Sequence, residues 1–378
     1  MEIVQLGRLT KKEGEMQAFQ IEDTWLPLER AKTPLVSPTT PQALAKELVV
    51  KFDFDAERPS EFFPFLLPDL PEFGIGLIVG GSGTGKSTLL NTFFNPTAPE
   101  WDSSLTIADH FDSADEASAK FYAVGLSSVP TWLRPYHLLS NGEKFRADLA
   151  RELHSNVAID EFTSVVDRTV AKSASKSVSR FIKDNQLTNM VFATVHKDVM
   201  AWLQPDWIID TDAGLYCISP KECLRRPELV ADIYEVKKTM WAYFAGHHYL
   251  DGSILASSKC FVAVIEGQPA VFASAIPLPS GTLTDAWRGH RMVTLPDYQG
   301  LGLGVRVSDW VGEWFIQQGK RYYSKTTHPR LGGYRDASPS WKATASNHKQ
   351  RSNDESMGNL QWKLSERFSF SHEYIGQQ

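Results

Sequence analysis

The chain has 378 residues, of which 42% are hydrophobic and 22% are charged. That length is enough for about two domains, and the composition excludes a disordered or fibrous protein. No segment approaches the roughly 20 apolar residues of a membrane helix, and the N-terminus lacks the apolar core of a secretory signal. Three cysteines without a CxxC pair cannot form a disulfide framework. We therefore expect a cytoplasmic protein without a membrane segment.

The net charge of −6 is unevenly distributed. Residues 221–378 carry 19 Lys and Arg against 15 Asp and Glu, whereas residues 1–220 carry 20 against 30. The mildly basic C-terminal part could face a polyanion or the phosphates of a cofactor. A solvated surface explains the same difference equally well.

Hydrophobic patterns predict alternating strands and helices up to about residue 218. A Pro/Thr-rich segment, 33–42, predicts an extended linker. Residues 87–94 predict a helix, and residues 206–218 predict two strands around an Asp-Ala-Gly turn. Short apolar runs typical of buried strands occupy residues 74–81, 155–161 and 189–196. This alternation predicts a parallel α/β sheet.

The pattern changes after a basic break at 218–228 that two prolines bracket. We expect, in chain order, a helix at 228–244, a hairpin at 260–278, a strand at 290–296, a helix at 305–319 and a strand at 320–328. The polar segment 334–356 predicts a mobile loop. The predicted division is an N-terminal extension and linker at 1–44, a domain at 45–220 and a second domain at 221–378.

Residues 80–87, GGSGTGKS, match the phosphate-loop pattern GxxxxGK[ST] and lie between a predicted strand and a predicted helix. In this context Lys86 neutralises the β- and γ-phosphates of ATP, and the Ser87 hydroxyl holds Mg²⁺. A glycine-rich turn without a ligand is the alternative. The residues that we expect to bind ATP are Gly80, Ser82, Gly83, Gly85, Lys86, Ser87 and Thr88.

Two carboxylates end the strand predicted at 155–161. Asp160 is placed to hold Mg²⁺, directly or through water, and Glu161 is placed to activate the attacking water. An apolar run that ends in Asp-Glu is common by itself. It indicates ATP hydrolysis here because a phosphate loop precedes it.

Residues 139–143, LSNGE, resemble the LSGGQ signature of ABC-type ATPases and lie 18 residues before the Asp-Glu pair. Residues 164–167, SVVD, resemble the D-loop of that family, and His196 resembles its switch histidine. The resemblance covers residues 45–218 and implies a head-to-tail homodimer through the ATPase domain. Ser140 and Gly142 would then contact the ATP that is bound by the partner subunit.

This resemblance has three departures. The signature has Asn141 and Glu143 where the family has Gly and Gln, and no Gln occurs between residues 92 and 139. Only about 50 residues separate the phosphate loop from the signature, which leaves little of the helical subdomain on which transporters dock. We therefore expect no membrane partner. The candidates for an aromatic ring on the adenine are Phe52, Phe54, Phe62 and Phe63.

Residues 299–304, QGLGLG, follow a predicted strand and precede a long helix. They resemble the [RQ]xxGx[GA] motif of GNAT acetyltransferases, in which backbone amides bind the pyrophosphate of acetyl-CoA. A dinucleotide-binding turn is the alternative, but it requires a helix directly after the first strand of a βαβ unit. The residues implied to bind acetyl-CoA are Gln299, Gly300, Leu301, Gly302 and Gly304.

The acceptor side of this predicted domain is less defined. A His-His-Tyr sequence precedes the hairpin, and a structural helix end is the alternative explanation for it. Together with Trp287-Arg288 and a Tyr-Arg-Asp sequence at 334–336, it is similar to phage Mom-type enzymes, which modify adenine in DNA. That similarity implies His247, His248, Tyr249 and Asp336 as catalytic candidates, with Arg288 and Ser324 beside them. Tyr322 and Tyr323 are candidate acids for the leaving thiolate, with packing as the alternative role.

The fold that we expect is α/β, with an N-terminal ABC-type ATPase domain and a C-terminal α+β GNAT-like domain around a mixed sheet. The predicted function is an ATP-hydrolysing acyltransferase that modifies a base amine in DNA and uses ATP, Mg²⁺ and acetyl-CoA. One alternative is acetyl transfer to tRNA, a protein lysine or a small amine. The other is a non-catalytic nucleic-acid clamp that ATP opens and closes.

Overall fold

A computed structural model describes residues 4–10, 25–37, 43–51, 60–220, 224, 227–248, 253–279, 283–350 and 368–376. The catalytic candidate Tyr249 and the adenine-stacking candidates Phe52 and Phe54 lie outside these residues. In the described ranges the strands are β1 Val4–Thr10, β2 Trp25–Pro27, β3 Leu35–Ser37, β4 Ser60–Phe62, β5 Ile75–Val79, β6 Val157–Ile159, β7 Met190–Thr194, β8 Trp207–Asp210, β9 Leu215–Ile218, β10 Val230–Val236, β11 Lys259–Ile265, β12 Gln268–Pro277, β13 Ala286–Thr294, β14 Arg321–Thr326, β15 Trp341–Ala343, β16 Lys349–Gln350 and β17 Phe368–Tyr374. The α-helices are α1 Ala43–Lys51, α2 Lys86–Phe93, α3 Ala114–Ala123, α4 Val129–Trp132, α5 Asn141–Arg151, α6 Arg168–Asp184, α7 Met200–Leu203, α8 Trp241–Phe244, α9 Leu303–Gln317 and α10 Pro329–Ala337.

The chain forms two compact units, and each unit contains more than one segment of the sequence. The six-strand unit comprises Glu15–Val124 and Pro135–Arg226. The nine-strand unit comprises Met1–Gly14, Gly125–Arg134 and Pro227–Gln378. The division near residue 226 lies close to the boundary expected from sequence. The N-terminal strand β1 and residues 125–134, however, belong to the nine-strand unit.

The six-strand unit is built on a sheet whose described strands follow the order β2-β9-β8-β5-β7-β6. Strands β8, β5, β7 and β6 are parallel, whereas β9 and β2 are antiparallel to their neighbours. Every residue of β5 and β7 is buried, as expected for strands with helices on both faces. Because parallel strands share one carboxyl edge, the loops after β5, β7 and β6 meet at that edge.

The nine-strand unit contains a mixed sheet. Its described strands follow the order β1-β10-β11-β12-β13-β14-β17-β15, and β16 also pairs with β17. The pairs are antiparallel except for β13 and β14, which are parallel. Trp241 and Phe244 of α8 pack in a buried cluster with Phe272 and Val293. Helix α9 buries Val307, Val311 and Phe315.

Two predictions for the C-terminal half are wrong. The helix expected at 228–244 is strand β10 followed by short helical turns. Alternate residues of β10, Ala231 and Ile233, are buried, which is the period-two pattern of a strand. The loop expected at 334–356 is ordered in its described part, because α10 extends to Ala337 and β15 and β16 follow. Residues 351–356 lie outside the described part.

The other strands and helices expected from sequence lie within a few residues of their expected positions. Of the linker expected at 33–42, residues 38–42 lie outside the described part, and Leu35–Ser37 form β3. The hairpin has Glu266 and Gly267 at its turn, with Ile265 paired to Gln268, and the two strands around the Asp-Ala-Gly turn are β8 and β9. None of the helices in the described ranges has the length and apolar character needed to cross a membrane. The fold is α/β and contains two mixed sheets.

Candidate functional site

The phosphate loop connects β5 to α2 and is held by its own hydrogen bonds. The Lys86 ammonium donates to the carbonyl of Gly81 at 2.6 Å. The Gly81 N–H donates to a carboxylate oxygen of Asp212 at 2.7 Å, and this bond, together with Lys197 and Lys86, lowers the pKa of Asp212. The Thr84 and Thr211 hydroxyls lie 2.7 Å apart. The turn after β8 therefore fixes the start of the loop.

A pocket of about 230 Å³ lies in front of this loop, lined by Phe62, Gly83, Gly85, Lys86, Ser87 and Thr88. Five of these six residues were expected from sequence to bind ATP. The ring of Phe62 approaches the loop so closely that a Cβ at Gly85 would lie 2.5 Å from it. Of the two aromatic candidates that lie within the described residues, Phe62 and Phe63, Phe62 lines this pocket.

Asp160 and Glu161 follow β6 at the same edge of the sheet. The Glu161 N–H donates to Asp160 Oδ1 at 2.8 Å, and Glu161 has a φ of +52°. A non-glycine residue in this region costs of the order of 1–3 kcal/mol, and such residues cluster at functional sites. The next residue, Phe162, is buried and its N–H donates to Ala193 at 2.8 Å. This turn leaves the Glu161 side chain exposed.

His196 follows β7, next to the strand that carries the two carboxylates. The ring Nδ1 of His196 lies 3.2 Å from the Thr163 hydroxyl, and the backbone N–H of His196 donates to the Thr194 hydroxyl at 3.1 Å. Burial and the nearby charge of Arg168 lower the pKa of His196, and Asp198 opposes this shift. His196 is consequently held in one orientation and favours its neutral form.

The signature segment forms the start of α5. The Ser140 hydroxyl accepts a hydrogen bond from the Glu143 N–H at 3.3 Å, and the Glu143 carboxylate accepts one from the Ser140 N–H at 2.9 Å. This reciprocal arrangement is a capping box. It gives a structural role to Glu143, one of the two signature residues that depart from the family pattern. Ser140 is exposed, and no described atom lies within 4 Å of a Cβ built at Gly142.

The glycine-rich turn at 299–304 connects β13 to α9. Helix α9 has Gly302 as its N-cap, without a side-chain hydrogen bond to cap it, so its first amides are available to an anion. Leu301 and Leu303 are buried and anchor the turn. The Gln299 amide donates to the Thr294 carbonyl at 3.0 Å and accepts from the Ser127 N–H at 3.2 Å.

The strands on either side of α9 separate towards this turn. Strands β13 and β14 pair from Ala286 with Arg321 to Arg288 with Tyr323. Beyond this register β13 continues to Thr294 and β14 to Thr326 without further pairing between them. We call the region between these two unpaired strand ends the cleft. The Leu295 N–H already donates to the Ala270 carbonyl at 2.9 Å. An oxyanion donor for acyl transfer must therefore come from another amide along β13.

His290 lies where the two strands separate, and sequence reasoning did not single it out. Its Nε2 is buried and has no hydrogen-bond partner within the described residues. Burial, followed by the charges of Arg291, Arg288 and His248, lowers the pKa of His290. A partly buried imidazole that favours its neutral form beside the cleft has the chemistry of a general base. The only sequence signal was a histidine between two arginines in a predicted strand.

The structure brings His248 near His290 and places Asp336 in another cluster. The His248 ring packs against Trp241 at 5.5 Å, while His247 is exposed in the preceding turn. Asp336 is contacted by His372 Nε2 at 2.8 Å, His348 Nε2 at 3.0 Å and the Asn347 amide at 2.9 Å.

Three further candidates, Tyr322, Tyr323 and Ser324, lie on β14. Burial, followed by Glu373, raises the pKa of Tyr323. Ser324 is paired with His372 across β14 and β17 and is buried. Tyr322 stacks on Phe315, and burial raises its pKa to about 12. The role of Tyr322 is therefore packing.

No protein-family model matches the sequence, and no curated protein matches it. Solved structures similar to it include a dimeric ATP-binding cassette in a post-hydrolysis state with ADP and Pi, at 15% identity over 48% of this chain and 93% of that chain, with a TM-score of 0.33. Also similar is the ribosomal-protein-S18-alanine N-acetyltransferase of Escherichia coli, at 13% identity over 39% of this chain and 96% of that chain, with a TM-score of 0.29. An acetyltransferase of Bacillus subtilis in complex with CoA has 12% identity over 39% of this chain and 99% of that chain, with a TM-score of 0.29.

The chain thus contains one sheet with four neighbouring parallel strands and one sheet that is antiparallel except between β13 and β14. The glycine-rich turns at 80–87 and 299–304 follow strands of these two sheets, as expected from sequence.

Proposed function

We propose that the protein hydrolyses ATP and transfers an acetyl group from acetyl-CoA to a base amine in DNA. The observation that carries the proposed acetyl transfer is the cleft between β13 and β14. The N-terminus of α9, which has no side-chain cap, lies at its open end, and His290 lies where the two strands stop pairing. ATP hydrolysis is supported by the pocket at Lys86 and by Asp160 and Glu161 at the same sheet edge. ATP and acetyl-CoA are both abundant in the cytoplasm, the expected location.

The residues at the nucleotide pocket fit ATP with Mg²⁺. Ser87 and Asp160 offer the hard oxygen donors that Mg²⁺ prefers, and the ion would supply neutralisation of phosphate charge. Lys86 adds a positive charge against the phosphates. Glu161, exposed after a strained turn, orients and deprotonates the attacking water, and neutral His196 contacts the terminal phosphate. Ser140 and Gly142 of a second subunit would complete each site in a homodimer.

The residues of the cleft fit acetyl transfer. The free amides of Gly300–Leu303 hold the diphosphate of the acyl donor, which supplies an activated thioester. The nitrogen of the acceptor amine attacks the thioester carbonyl, and His290 accepts the proton that this nitrogen loses. The C–N bond forms, the C–S bond breaks and the thiolate leaves as CoA. His247 and His248, together with Tyr249, would line the acceptor side, and Asp336 would act through His372 and His348.

The charges around His290 favour an acceptor that is part of a polyanion. Arg288, Arg291 and His248 surround it, and this positive potential attracts nucleic acid. The same potential repels a cationic lysine, so it disfavours a protein acceptor. DNA is preferred over tRNA on the similarity of the acceptor-side residues to Mom-type enzymes.

The test is a direct search for a modified nucleoside. The protein is incubated with acetyl-CoA, ATP, Mg²⁺ and duplex DNA, with tRNA in parallel, and each nucleic acid is digested and measured by mass spectrometry. We expect one deoxynucleoside to gain the mass of an acetyl group. Lys86→Ala should abolish that gain, and Lys183→Ala, an exposed lysine of α6, should not. Bound acetyl-CoA without any modified nucleoside would contradict the DNA acceptor.

A non-catalytic clamp makes a different prediction for the acyl-donor turn. Gly302→Val puts a side chain at the start of α9, where the diphosphate would bind. If the protein is an enzyme, this substitution abolishes modification of the nucleic acid. If the protein is a clamp, the parent chain modifies nothing, and the substitution leaves nucleic-acid binding and ATP turnover unchanged. The matched control is Gly319→Val, at the other end of α9, where the space is equally open.

A further inference from the structure

Residues 125–134, which we call the strap, have an unexpected position. They lie between α3 and α5, and their neighbours Val124 and Pro135 belong to the six-strand unit. The strap itself belongs to the nine-strand unit. A segment from the middle of the ATPase sequence is thus a part of the fold that carries the acyl-donor turn.

The strap is an ordered element with its own hydrogen bonds. The Trp132 indole N–H donates to the Leu126 carbonyl at 2.6 Å, and the Thr131 N–H donates to Ser128 at 2.9 Å. Leu126 is 3% exposed and Thr131 is 4% exposed. These contacts give the strap a defined shape that can transmit a displacement.

The strap contacts the first residue of the acyl-donor turn at two points. The Ser127 N–H donates to the Gln299 side-chain oxygen at 3.2 Å. Gly125 has a φ of +78°, and a Cβ there would lie 3.3 Å from the Gln299 carbonyl oxygen. Because Gln299 is also bonded to the Thr294 carbonyl, the strap holds the end of β13 and the turn together.

We propose that the strap is part of the acyl-donor site and that it couples occupancy of this site to the nucleotide bound at the signature. Six residues, 135–140, separate the strap from helix α5, whose first turn carries part of the signature. When bound ATP displaces α5, these connecting residues move the strap, and the strap moves Gln299 through the Ser127 hydrogen bond. Coupling of this kind is reciprocal, so acyl-CoA must change the affinity for ATP by the same factor. The inference rests on the proposed binding of both ligands.

The experiment measures the affinity for CoA by calorimetry on the full chain with Glu161→Gln, which prevents ATP turnover. We expect the Kd for CoA to differ at least about fivefold between samples with and without ATP and Mg²⁺, the lower range of allosteric coupling. Gly125→Ala should abolish this difference, because its methyl group displaces Gln299. The matched control is Gly267→Ala, which has the same φ of +78° but nothing within 4 Å, and it should retain the difference.

Hydrogen exchange gives a second test that needs no glycine substitution. The peptide that contains Ser127 should exchange at a different rate when CoA is added, and again when ATP is added to Glu161→Gln. If CoA binds with the same Kd and the same exchange in both nucleotide states, the coupling is refuted and the proposed function stands. If CoA does not bind in either state, the proposed acyl transfer and the coupling both fail.

Discussion

The side chain of His290 shows how a residue acquires a chemical role from its surroundings. Sequence motifs identified Lys86, Ser87 and Glu161, because phosphate loops and catalytic carboxylates need fixed spacings in the chain. No such spacing marks His290. Its environment is created by the separation of β13 from β14 and by the charges of Arg288 and Arg291, and these are properties of the folded sheet.

The lowered pKa of His290 predicts the pH dependence of acyl transfer. As a base it works in its neutral form, so kcat/KM should rise with pH, and the midpoint of this rise should lie below the ordinary histidine pKa of about 6.5. Arg288→Gln removes a positive charge, raises the pKa and moves this limb to higher pH. Lys325→Gln, an exposed cation of β14, should leave it unmoved. His290→Ala should lower kcat/KM by roughly 10²–10⁴-fold, and an unchanged profile would exclude His290 as the base.

His372 predicts a pH dependence of stability. Its side chain is 1% exposed, and burial lowers its pKa although Asp336 opposes the shift. The unfolded chain therefore takes up the proton first, and the contribution of His372 to stability is present above about pH 6.5 and is lost as the pH falls. Urea unfolding between pH 7.5 and 5.5 should show a smaller loss in His372→Gln. The exposed His137→Gln should follow the parent protein, and equal slopes for all three would contradict the assignment.

At the scale of elements, strands with strict burial patterns were predictable and short alternating ones were not. The apolar runs at β5, β6 and β7 have a simple origin, because a parallel strand is covered on both faces. Strand β10 contains Asp232 and Glu235 among its apolar residues. This spacing of charged and apolar residues is also compatible with an amphipathic helix, which is why a helix was predicted. Pairing with β1 and β11 on its two sides determines its conformation, and sequence periodicity does not contain that information.

The capping box of α5 predicts a separation of stability from activity. Ser140→Ala removes the N-cap and should cost about 1 kcal/mol of stability, and it should also lower ATP hydrolysis if the proposed homodimer places this hydroxyl against the partner's nucleotide. Ser113 is the equivalent N-cap of α3, and its side chain accepts a hydrogen bond from the Glu116 N–H. Ser113→Ala removes this cap. It should cost a similar free energy without a loss of hydrolysis. Thermal unfolding and phosphate release measure the two effects, and equal losses of activity would indicate a purely structural role for Ser140.

At the scale of the whole molecule, a head-to-tail homodimer predicts complementation between two inactive variants. Lys86→Ala disables the phosphate loop, and Ser140→Ala disables the signature. A mixed dimer contains one site in which both are intact, so an equal mixture should recover about a quarter of the parent ATPase activity under random pairing. Each variant alone should hydrolyse ATP more slowly than the mixture at every concentration. Absence of recovery, with mixed dimers demonstrated by mass measurement, would place both residues in the same subunit's site.

The division of the molecule was only partly predictable for a related reason. Composition and motif order locate two folds and the change between them near residue 220. They do not show that β1 and the strap join the nine-strand unit, because the contacts responsible are backbone pairings and a hydrogen bond to one amide. Backbone contacts of this kind leave little trace in the identity of the side chains.

The pairing of β1 with β10 also affects the order in which parts of the chain can fold during translation. Thr10 and Val230 are partners separated by about 220 residues, so the first strand leaves the ribosome long before its neighbour is translated. The intervening Glu15–Val124 and Pro135–Arg226 are complete by then. If they have already folded, few free residues remain in the loop that must close, and the entropic cost of joining the two strands falls accordingly. Early folding of the six-strand unit would then favour the late closure of the β1–β10 pair.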